Sequence, residues 1–98
     1  MSAKADKTAV MTWDFQVSNK LGLHARPAAQ FVKTANKFAC DIFVQKEGEK
    51  VNGKSLIGLL LLAAGQGSKL TIHAQGPDAS QALAELELLV ARRFGEEE

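Results

Sequence analysis

The chain has little that could brace a fold covalently or with metal. Its one cysteine, Cys40, has no internal partner for a disulfide, and such sparing cysteine use suits a reducing compartment. His24, His73 and Cys40 do not stand at metal-ligand spacing, so no metal and no cofactor is expected. Long hydrophobic runs are also missing. The longest, from Leu56 to Ala64, is interrupted by Gly58 and falls far short of the ~20 residues needed to cross a bilayer, which excludes direct membrane insertion. With 12 basic and 11 acidic side chains the net charge is only +1. That is too small for a general attraction to nucleic acid or anionic lipid.

Residues 1–10 carry Lys4, Asp6 and Lys7 and lack the apolar centre of a secretory signal, so they read as a flexible polar arm of a cytoplasmic protein. The 98 residues are enough for one compact domain, over residues 11–95, large enough to stand without staples. The acidic end, Glu96-Glu97-Glu98, reads as a solvated tail.

Hydrophobic periodicity gives the elements. Trp13, Phe15 and Val17 alternate with polar neighbours from Thr12 to Ser18, the pattern of a half-buried strand. Ala28, Phe31, Val32, Ala35 and Ala39 then recur at helical spacing. Cys40, Ile42 and Val44 alternate again, and the Glu47-Gly48 turn leads into Glu49 to Asn52, predicting a hairpin. Ser55 to Leu62 reads as a short helix, and Leu70, Ile72 and Ala74 mark a further strand. Asp78 with Gln81 has the spacing of a capping box for a last helix with Leu83, Leu86 and Val90 inward and Ala82 and Leu89 beside them. The order βαββαβα, with one polar face on each strand, predicts an α+β fold with a four-stranded antiparallel sheet covered on one face by three helices.

Chemistry concentrates in Leu21-Gly22-Leu23-His24-Ala25-Arg26-Pro27-Ala28-Ala29. Here an imidazole stands between a glycine turn and a helix start, where unpaired N–H groups and the helix dipole favour an anion. A neutral imidazole has one nitrogen free to attack phosphorus, and the resulting P–N bond is labile once the ring is protonated. Pro27 fits the first turn, where a missing N–H costs least. Two readings of His24 stand at this level: a helix cap beside the solvated charge of Arg26, or a phosphoryl acceptor assisted by it. Ser55 likewise suits a cap for the short helix.

Gly22-Leu23-His24-Ala25-Arg26-Pro27-Ala28 and Gly53-Lys54-Ser55-Leu56-Ile57-Gly58, at their separation, resemble the two signatures of the HPr family, the histidine-containing phosphocarriers of the bacterial phosphotransferase system. The resemblance spans about residues 11–95 and implies an open-faced β-sandwich. It implies that His24 accepts phosphate through Nδ1 from Enzyme I charged by phosphoenolpyruvate and donates it to Enzyme II components in sugar uptake. The protein would then be a stoichiometric intermediate rather than a turnover enzyme. Ala25, Arg26 and Pro27 would form the phosphate-binding helix start, and Ser55 would be a regulatory site for an HPr kinase/phosphorylase. Ala29, Lys33, Leu56, Ile57, Leu60 and Leu61 would form the docking surface for these partners and for transcriptional regulators, on a monomer.

One departure bears on the branch. Leu21 stands where sugar-system members often carry a small polar residue, which argues against a phosphate contact from that side chain. Asn19-Lys20-Leu21-Gly22 and the acidic tail resemble the nitrogen-related branch, whereas Gly53-Lys54-Ser55 resembles the serine-regulated one. The alternative function is therefore a nitrogen-branch or serine-switched module that docks to regulators. A nucleic-acid role on the open sheet face is disfavoured, because Thr12, Asp14, Gln16, Asp41, Phe43, Gln45 and Thr71 supply one aromatic and two aspartates.

Overall fold

Alternation along β1 (Met11–Gln16) puts Phe15 inside and Asp14 and Gln16 outside. The same two-residue period repeats in β2 (Asp41–Lys46) and β4 (Lys69–Gln75), while in β3 (Glu49–Asn52) only Val51 is partly buried. In the computed structural model, which describes residues 9–96, these strands form one antiparallel sheet in the order β1-β4-β2-β3. Three helices, α1 (Ala25–Ala35), α2 (Leu56–Leu61) and α3 (Ala79–Ala91), complete the βαββαβα order and cover one face. This is the predicted open-faced sandwich. Residues 1–8 of the expected arm and residues 97–98 of the expected tail lie outside the described residues.

Phe31, Ile42, Leu59, Leu70, Ile72 and Leu86 are the largest side chains at the centre of the core. Burying each contributes about 2 kcal/mol, so the helix–sheet layer carries most of the stability. The bare face pairs Phe43 with His73, whose Nε2 lies 2.8 Å from Gln45 Oε1, and Thr71 Oγ1 donates to Asp14 at 2.7 Å.

Boundaries differ from the sequence reading in three places. Val17 follows β1 but stays bonded to the loop before β4, with its N–H on Ser68 O and its C=O accepting from Gly67 N–H, both at 2.8 Å. Helix α1 ends at Ala35, where Lys37 and Phe38 N–H groups bond three residues back and tighten the last turn. Ala39 is therefore exposed rather than part of the helical stripe. Val90 is only half-buried, and Ala79 takes a core place instead.

The capping box is also corrected. The Asp78 side chain makes no cap bond to α3. Its two oxygens accept from Ala39 N–H at 2.8 Å and Cys40 N–H at 2.9 Å, tying the start of α3 to the entrance of β2. These donors, 38 and 39 residues away, outcompete the local amides. Burial first, and then the bond with Asp78, push the Cys40 thiol up to about 11, so Cys40 stays a neutral packing residue.

The Ala39 N–H, helped by that of Cys40, holds the Asp78 carboxyl below its ordinary 3.8 against the opposing effect of desolvation. A folded value below the unfolded one means the stabilisation is complete above the unfolded value and is lost as pH falls through the folded one. Urea unfolding of wild type and Asp78→Asn is accordingly expected to show the variant less stable at pH 7. The gap should close as pH drops below about 4. A gap independent of pH would show that ionised Asp78 contributes nothing.

Candidate functional site

Gly22 turns the chain with φ +73° into α1, and its N–H bonds Asn19 O at 3.0 Å. Leu23 N–H bonds Ala64 O at 2.8 Å, anchoring the turn to the segment after α2. His24 then occupies the N-cap position of α1 in extended conformation (φ −81°, ψ −167°), and its side chain makes no cap bond. The capping reading of His24 is thereby removed. Its C=O accepts the first helical bond, from Ala28 N–H at 3.0 Å. Pro27 has no N–H and is buried as a wedge, so the amides of Ala25 and Arg26 remain without intrahelical partners at the helix mouth.

The His24 side chain is enclosed at its Nε2 end. Nε2 is closed off from solvent and lies 3.0 Å from Glu96 Oε2, outside hydrogen-bond geometry. The side chain as a whole is 35% exposed. With Nε2 enclosed, that exposure falls on the remainder of the side chain.

Glu96 reaches the histidine through a turn of unusual backbone. Arg93, Phe94 and Gly95 adopt φ of 52°, 57° and 84° in succession. For the two non-glycine residues this costs roughly 1–2 kcal/mol each. Phe94 offsets part of it by burying its ring, 6.5 Å from that of Phe15. Asn19, itself 1% exposed, offsets more by donating from Nδ2 to Arg93 O at 2.9 Å and to Glu96 Oε1 at 2.8 Å. The acidic end was expected to be solvated, yet Glu96 is folded against the phosphoacceptor candidate with its side chain 16% exposed.

Two contrasting surfaces occur near the start of α1. Leu21, Leu23, Leu60, Ala63 and Ala64 line a shallow apolar depression of about 250 Å³ that reaches the ring. Arg26 and Arg92 line a separate open groove of about 430 Å³ with Gln30, Leu89 and Phe94. Arg26 is exposed and makes no ion pair among the described residues. Ala29 and Lys33 are exposed along α1, as are Leu56, Ile57, Leu60 and Leu61 on α2. Leu59 and Leu62 turn inward instead, so a short helix divides its leucines cleanly between core and surface. Leu21, 75% exposed, joins this surface.

The second motif has a structural explanation. A side chain on Gly53 would sit 2.7 Å from Ile42 Cγ2, and Lys54 Nζ bonds Phe38 O at 2.7 Å. Ser55 is the N-cap of α2, its Oγ accepting from Gly58 N–H at 3.0 Å. The hydroxyl is half-exposed at the edge of the apolar α2 surface. No group of three or more His, Cys, Asp or Glu suited to a metal occurs among the described residues, and no helix among them is long and apolar enough to cross a membrane.

A histidine at a helix mouth on an open-faced sandwich places the chain in the class of phosphohistidine carriers, proteins modified and restored in each cycle rather than turnover enzymes. Residues 11–92 match the family model described as the PTS HPr component phosphorylation site. The chain is 42% identical to the phosphocarrier protein HPr of Cupriavidus necator, over 87% of this chain and 96% of that protein. It is 51% identical to the HPr-like protein Crh of Bacillus subtilis, over 72% of this chain and 84% of that one. The crystal structure of HPr-C-His from Thermoanaerobacter tengcongensis superposes with a TM-score of 0.86 at 43% identity, over 90% of this chain and 99% of that one. The chain belongs to the HPr family of phosphotransferase-system phosphocarriers.

Proposed function

We propose that His24 accepts a phosphoryl group on Nδ1 from phosphoenolpyruvate-charged Enzyme I and passes it to Enzyme II components in sugar uptake, the protein acting as a cytoplasmic monomer. The observation that carries this reading is the His24 ring itself, which stands at the mouth of α1, makes no cap bond and belongs to a side chain 35% exposed. In the forward step the donor's P–N bond breaks and a bond from phosphorus to Nδ1 forms, while the Nε2 proton stays on the ring. Charge spreads over the phosphoryl oxygens in such a transfer, so positioning and electrostatics matter more than a strong base. The amides of Ala25 and Arg26 and the Arg26 guanidinium supply both, and Pro27 fixes their geometry.

Docking rests on the exposed Leu56, Ile57, Leu60 and Leu61 with Ala29 and Lys33. This apolar patch with a basic rim suits a transient acidic partner. Phosphate on Ser55, placed there by an HPr kinase, would add about −1.5 to −2 charge at the edge of that patch and repel such partners. The identity to Crh supports a second reading, in which this serine switch and docking to regulators dominate over onward transfer.

With Enzyme I and labelled phosphoenolpyruvate the chain is expected to take up acid-labile label and lose it to an Enzyme II component, with no uptake by His24→Ala. Label that enters but never moves onward would favour the regulatory reading.

A further inference from the structure

We propose that Glu96 is a positioning residue that covers Nε2 of His24 and so restricts phosphorylation to Nδ1; this rests on the carrier reading of His24. Three observations converge. Nε2 is closed off and its nearest charged neighbour is Glu96 Oε2, at 3.0 Å, while the side chain as a whole stays 35% exposed. The carboxylate is held by a buried group, since Asn19 Nδ2 grips its other oxygen at 2.8 Å and the carbonyl of Arg93 at 2.9 Å. The chain is brought there by consecutive left-handed residues, a backbone that persists only where surrounding contacts impose it.

The chemical consequence follows from the polarity of a carboxylate. An anion beside Nε2 favours the tautomer with its proton on that nitrogen, which leaves the lone pair on Nδ1. Cover and tautomer therefore select the same nucleophile. His24 would offer one nitrogen to every donor, and a partner would not need to choose between them.

Phosphoramidate tests this without any protein partner. The neutral ring attacks phosphorus, the N–P bond to the ring forms, the bond from phosphorus to the amine breaks, and ammonia leaves. The reaction is run on the full chain carrying His73→Gln, so that His24 is the single imidazole. Nitrogen-15 and phosphorus-31 spectra then distinguish the two phosphohistidine isomers. The Nδ1 isomer alone is expected with Glu96 intact, and comparable amounts of both isomers with Glu96→Ala. Glu96→Gln, which has the same length, is expected to keep the ring covered and restore the single isomer. A substructural role for Glu96 would leave the isomer ratio unmoved. The Nδ1 isomer alone in Glu96→Ala, or Nε2 phosphate in the intact chain, would overturn the role of Glu96 and leave the carrier reading standing. A His24 inert to phosphoramidate in all three proteins would count against the carrier reading itself.

Discussion

Replacing Gly22 by alanine is expected to destabilise the protein by about 3 kcal/mol or more, a large share of the 5–15 kcal/mol typical of a domain. A methyl group there would lie 2.6 Å from Ala64 O and 2.7 Å from Gly65 Cα, both backbone atoms that cannot swing aside. The backbone at φ +73° adds the left-handed penalty. Relief would require the turn to separate from the segment after α2, breaking the bond from Leu23 N–H to Ala64 O. His24 is the next residue, so whatever folded variant remains should also transfer phosphate poorly. Chemical unfolding monitored by circular dichroism measures the first effect. A loss below about 1 kcal/mol would show that the turn relaxes easily.

The second large effect is on docking. Ile57 and Leu61 are each 71% exposed, so Ile57→Gln with Leu61→Gln should change stability by no more than about 0.5 kcal/mol per site. Glutamine also keeps good helix propensity for α2. If these side chains anchor the partner, their joint loss removes about 2 kcal/mol of binding, a decrease of about 30-fold in kcat/KM for transfer from Enzyme I. The loss should fall on KM, since His24 is untouched. Unchanged KM with normal folding would remove α2 from the docking surface.

Much of this was legible because the deciding forces are local. Two-residue alternation around Ile42 and Ile72, helical spacing from Ala28 to Ala35, and Ser55 ahead of an apolar run each specify an element from neighbouring residues alone. The position of His24 at the start of α1 was legible for the same reason. Contacts made across the fold were not. Asp78 has the local spacing of a cap, yet Ala39 and Cys40 supply better-placed donors. Glu96 in a run of acids looks solvated because nothing nearby announces its partner 72 residues away. Gly95 was the one hint of a turn there, and Arg93 and Phe94 adopt a backbone that their residue types do not favour. Asn19 resembled an ordinary turn residue, although it is the buried link between the two ends of the site.

The most direct measurement of the central claim is the nitrogen-15 and phosphorus-31 spectrum of the chain after incubation with Enzyme I and phosphoenolpyruvate. One phosphoryl group per chain, bonded to Nδ1 of His24, is the predicted result. Phosphate on another residue, or no phosphate at all with a donor that charges a known HPr, would contradict it.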